Sequence, residues 1–192
     1  MKRIVIIILA AAAIICSCTS QNSRSGLEKA IEEEITKTLT EPYKFSIIEL
    51  EKLDSTIFLT EFDRRMNVFE KRIAQNKIFH DDYYQRGLKK NASIKYDEIL
   101  KDYEIIAILQ AVKERMGDSV YMVAYSDYRV KAEVIINNKA QMLENVYFAI
   151  TPDNKVLSTS TDRKKLHQAT GLVIPGYSEI IKTEPSSTEL IQ

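Results

Sequence analysis

Two cysteines one residue apart, in the stretch "IICSCTS" at 14–20, are the side chains best suited to covalent chemistry in this chain. Such a pair could be a redox couple, metal ligands, or the mark of a processing event. The other candidates are milder. His80, Asp81 and Asp82 adjoin in "HDDYY", a set that could bind a divalent ion or exchange protons. Neighbouring residues on a helix or strand point their side chains apart, however, so a solvated loop is the plainer reading. Glu98 and Asp102 share a helix face at i, i+4 spacing, where paired carboxylates can split their pKa values. With Asp97, Lys101 and Glu104 around them, an ordinary surface charge lattice accounts for them more simply. Tyr121, Tyr125, Tyr128 and Tyr147, with Arg129, fall where strands are expected. A sheet face lined by phenols could hold a ligand or a partner, or the rings could simply pack across strands.

Several chemistries have nothing to work with. The chain has five glycines, and no Gly-rich phosphate loop, Gly-x-Ser-x-Gly turn or His-Glu-x-x-His occurs. No catalytic residue, metal ligand or cofactor is assigned. The 27 basic and 27 acidic side chains cancel, which argues against a nucleic-acid partner or a polybasic membrane surface, since neutralising phosphates demands a cationic excess.

The cysteines end a leader unlike the rest of the chain. Lys2 and Arg3 are followed by an uncharged run, Ile4 to Cys16, and then by Ser17 and Cys18. As a helix this run spans about 20 Å, too short for a bilayer core of about 30 Å, which is the pattern of a secretory leader. The segment Ile15, Cys16, Ser17, Cys18 resembles the lipobox of bacterial lipoproteins, matching three positions of four, with Ile where Leu is commoner and Cys in the second place. Cys16 as the modified residue would set bulky Ile15 beside the cut.

The resemblance implies cleavage after Ser17 and a diacylglyceryl thioether on Cys18. Removing residues 1–17 from the 192 leaves 175, without Lys2 and Arg3 and so with 25 basic against 27 acidic groups, and without a free thiol. Disulfide, thiol-nucleophile and thiolate-metal chemistry then fall away. Acyl chains bury about 0.8 kcal/mol per methylene, so the membrane is the first partner expected. The alternative is an uncleaved apolar anchor with incidental cysteines. No Asp follows Cys18, so the resemblance implies an outer-membrane protein facing the periplasm.

The elements that must position the remaining candidates follow. Residues 18–26 read as the lipidated Cys and a polar tether. Ser25 and Glu28 form a capping-box pattern, and Leu27, Ile31, Ile35 and Leu39 make one apolar stripe, stopped before Pro42. "YKFSIIELEKL" alternates but changes parity at Ile47–Ile48, which predicts a bulged strand. Phe62, Met66, Phe69 and Ile73 predict a second helix with Thr60 as its N-cap. Residues 77–92 read as polar and irregular. A third helix is expected over 93–116, closed by Gly117, and its apolar "IIAILQAV" predicts the most buried helix, the one the sheet must cover. Period-two alternation from 128 to 136, "NNK" at 137–139 and "TPDNK" at 151–155 predict an antiparallel meander. Residues 161–169 read as a short helix, "VIPGYSEIIK" as an edge segment broken by Pro175, and 182–192 as a disordered tail.

This order predicts one α+β domain over 27–181, two-layered, with helices packed on a curved antiparallel sheet of about four strands. With "YRVKAEV" at 128–134, the pattern resembles the cystatin-like and NTF2-like domains of small bacterial lipoproteins. That fold hosts binders, inhibitors and enzymes alike. The expected function is a non-enzymatic, lipid-anchored envelope module binding an envelope protein or polymer. An envelope-anchored inhibitor or immunity protein, or an NTF2-like enzyme, are the alternatives.

Overall fold

The computed structural model describes residues 25–182. Ser17, Cys18 and residues 183–192 lie outside that range. The first described helix opens at Ser25, whose hydroxyl accepts from the Glu28 amide at 3.2 Å while the Glu28 carboxylate accepts from the Ser25 amide at 3.0 Å. This reciprocal cap opens α1 (Gly26–Thr36). α1 stops short of Leu39, because the Thr36 hydroxyl donates back to the Glu32 carbonyl and the Leu39 amide turns onto the Thr36 carbonyl.

β1 (Tyr43–Ile57) follows, and its expected parity slip is a bulge. Ile47 pairs with Ala132 and Glu49 with Lys131, leaving Ile48 unpaired and half exposed. β2 (Val123–Ile136), β3 (Lys139–Ile150) and β4 (Val156–Ser160) complete an open antiparallel sheet in the order β1-β2-β3-β4. Asn137 and Asn138, both at positive φ, close the β2–β3 hairpin as a two-residue turn, the conformation that Asn tolerates. Further register shifts in β1 and β3 bend the strands. The fold is α+β, with helices packed on a four-stranded antiparallel sheet.

Four expectations are corrected. Residues 77–92 are not irregular. α2 (Phe58–Gln85) continues through them, Gly87 at φ 73° makes the turn, and α3 (Lys89–Met116) begins four residues earlier than expected. The polar composition that suggested a loop belongs to two helices pairing along one narrow seam: between Lys77 and Glu98 only Ala92 is buried. Secondly, α3 is not the helix beneath the sheet. Its Ile105, Leu109 and Val112 are buried against α2 and the C-terminal segment, while Ala107 and Ala111 are exposed. α1 covers the sheet instead, with Ile31 set among Phe45, Val130, Ala132, Val134, Phe148 and Ile150. Thirdly, residues 173–182 form no edge segment. A 3-10 turn (Thr170–Val173), the Pro175–Gly176 corner and α4 (Tyr177–Lys182) bury Ile174 and Ile180 between α2 and α3. Thr60 does not cap α2 either. β1 runs directly into the helix, and the Phe58 amide finds the Met122 carbonyl at 3.1 Å.

Candidate functional site

The densest polar construction in the described residues lies where the start of α2 meets β2 and the C-terminal segment. Glu61 has no exposed surface, and both of its oxygens are filled. Oε1 accepts from Arg65 Nε at 2.6 Å and from the Thr170 hydroxyl at 3.0 Å. Oε2 accepts from Arg64 Nη1 at 2.6 Å and from the Tyr125 hydroxyl at 2.9 Å. Arg64 also reaches the Tyr125 oxygen. Arg65 then spreads its remaining donors over the chain's last part, to the Gln168 carbonyl at 3.1 Å, the His167 carbonyl and the Thr170 hydroxyl at 2.8 Å. Its guanidinium also lies over the Tyr177 ring. Gly171 lets these groups close up, since a Cβ there would stand 2.7 Å from the Tyr177 ring and 2.9 Å from Arg65 Nε.

A carboxylate offers about four lone-pair sites, and here all four are taken. Glu61 is therefore a buried counter-ion whose acceptor sites are all engaged by groups that hold the fold. Burial foremost, with the Glu61 charge beside it, raises the Tyr125 pKa despite the opposing hydroxyl contacts of Thr170 and Thr56, so the phenol remains a donor. Burial lowers the Arg64 pKa, but attraction to Tyr125 and Glu61 outweighs it and the net shift is upward.

Beside this centre, His167 Nε2 and Asp127 Oδ2 are 2.8 Å apart, and the His167 ring leans on Tyr125 at 5.8 Å. The carboxylate can only accept, which places a proton on Nε2. The His167 Nδ1 bonds no hydroxyl among the described residues. Asp127 Oδ1 is buried without a hydrogen-bond partner among the described residues.

The proposed tyrosine face is not one surface. Tyr125 is wholly buried at the Glu61 centre. Tyr128 has the opposite strand parity and packs toward the α1 side with Val130 and Ala132. Tyr121 precedes the sheet in a 3-10 turn and is 65% exposed. Arg129 and Tyr147 are cross-strand partners, but Tyr147 leans into the Tyr125–Leu166 cluster, while Arg129 is exposed and pairs with Glu51 at 2.6 Å. What the sheet offers outside is a cleft of about 140 Å³ at its bulges, lined by Glu49, Glu51, Arg129, Lys131 and Glu144. Arg129 with Glu51 and Lys131 with Glu144 already pair across the strands.

The helix candidates separate as well. Asp102 is buried and held bidentately by Arg72, while Glu98 pairs with Lys95 at 2.8 Å. The two carboxylates share no proton. His80 contacts Asp81 and the rings of Tyr84 and Tyr96 on the helical hairpin. No cluster of three metal-ligating side chains occurs among the described residues. A shallow groove of about 590 Å³ runs between α2 and α3, lined by Ile73, Ala74, Lys77, Tyr103, Ile106 and Ala107.

Sequence reasoning missed Glu61, Arg64, Arg65 and Thr170. One sign was present: Arg65 falls three residues after Phe62 and four before Phe69, inside the apolar stripe, where a charge must find a buried partner. Compared with known proteins, the chain has no significant match to a family model, a curated protein or a solved structure.

Proposed function

We propose that this chain is a lipid-anchored protein of a cell envelope, held by an acylated Cys18 and facing the periplasm from the outer membrane, whose α+β domain works by binding an envelope protein or polymer. The observation that carries this reading is the run from Lys2 to Cys18: two cations, an uncharged apolar stretch, then Ile15, Cys16, Ser17, Cys18. Ser25 caps α1 seven residues after Cys18, and seven residues extend at most about 25 Å, so such an anchor would keep the domain close to the headgroups. Binding is favoured over catalysis because the buried Glu61 has every acceptor site filled, the buried Asp102 is held by Arg72, and among the described residues no hydroxyl meets the His167–Asp127 pair.

Protein isolated from its own membranes should, by intact mass, lack residues 1–17 and carry acyl chains on Cys18, and Cys18→Ala should yield only unacylated precursor. An unmodified Cys18 with its leader attached would overturn the anchor. Affinity capture from the same membranes tests the second half, which requires a saturable partner.

A further inference from the structure

The far end of the α2–α3 hairpin combines open solvent exposure with an unbalanced positive charge. Every residue from Tyr84 to Asn91 is exposed. Between Asp82 and Asp97 the chain carries Arg86, Lys89, Lys90 and Lys95 and not one acidic residue. Arg86 and Lys95 are paired, with Asp82 and Glu98. Lys89 and Lys90 make no ion pair among the described residues, and they occupy the first turn of α3, where the helix dipole is already positive. The preceding Leu88 supplies no side-chain cap, and no acidic residue offsets the charge.

Apolar and aromatic groups share this apex. Leu88 sits at the turn, 40% exposed; Tyr84 lies one turn back along α2 at 66% and Tyr96 two turns back along α3 at 52%. Leucine at the tip, phenols behind it and ammonium groups around it are the composition of a bilayer boundary. There phenol rings sit at headgroup level and lysines meet phosphates, each worth on the order of 1 kcal/mol near an anionic surface. A soluble polyanion or an acidic protein would satisfy the lysines but would not reward an exposed leucine at the apex.

We infer that the α2–α3 apex, Tyr84 with Leu88–Lys90 and Tyr96, is a docking surface for an anionic lipid bilayer, separate from any acyl anchor. The inference needs no modification at Cys18, so it stands or falls apart from the anchor.

The chain contains no Trp, and Leu88→Trp in the full chain therefore makes a single reporter at the apex, with Tyr84→Trp as a second should the first disturb the turn. With phosphatidylcholine vesicles containing phosphatidylglycerol, the emission should shift to the blue and be quenched by brominated acyl chains. With phosphatidylcholine alone it should do neither, however the rest of the chain is held. Adding Lys89→Glu and Lys90→Glu should weaken the response at least about 25-fold, near fivefold for each charge lost, with helical circular dichroism intact. An unmoved emission on the anionic vesicles, an equal shift on phosphatidylcholine, or the same response to soluble polyphosphate would overturn the proposal.

Discussion

The two ends of α2 live under opposite rules. At the first, Glu61 and Arg65 are buried charges whose hydrogen-bonding groups meet partners from β2 and the C-terminal segment. At the last, some 20 residues on, nothing from Tyr84 to Asn91 is buried, and two lysines without an ion pair among the described residues stand at a helix start with no side-chain cap. The first end shows what this fold spends on holding itself together. The second breaks local preferences without any internal compensation, which is where a domain of this size is expected to meet something else.

The contrast is broken most directly at the buried end. Glu61→Ala or Arg65→Met strands a buried charge and should lower unfolding free energy by about 3–5 kcal/mol, read by urea titration. Tyr84→Ala should stay within about 0.5 kcal/mol. Equal losses at both ends would erase the distinction. Gly171→Ala, forced against Arg65 and the Tyr177 ring, should cost about 1–3 kcal/mol by overpacking. A smaller effect is expected from pH. The folded pKa of Tyr125 is raised, so the folded state holds this proton more tightly than the unfolded one. Its contribution is complete below about pH 10 and declines as pH climbs from there through the folded value. Tyr125→Phe should flatten that alkaline decline in thermal melts. The smallest change sharpens the comparison from the other side. Lys89→Glu should raise stability by about 0.3–1 kcal/mol, because an acid suits the start of α3. Were the lysine the stabilising residue, the apex would be ordinary surface.

How much of this was legible follows from the reach of each signal. The Ser25–Glu28 cap, the Asn137–Asn138 turn, the parity slip at Ile48 and the alternation of Val130, Ala132 and Val134 are all written within a few residues, and each stands where local rules put it. Residues 77–92 were misread because composition was taken for conformation. A two-helix seam needs only sparse small residues such as Ala92, and a polar helix looks like a loop when its partner is unknown. The Glu61 centre was hidden for a different reason. Its partners lie 64 and 109 residues away, at Tyr125 and Thr170, and Glu61 with Arg65 has the i, i+4 spacing of any solvated helix pair. The supposed tyrosine face failed on parity: Tyr125 and Tyr128 are three apart, so a strand sends them to opposite sides.

One junction carries a mechanical meaning. β1 ends at Ile57 and α2 begins at Phe58 with no connecting loop, and at about 1.5 Å per residue the 28-residue helix is roughly 40 Å long. With no slack at its root, α2 is a lever. A force on the hairpin's far end arrives as torque on the outermost strand, whose offset pairings give that strand somewhere to yield.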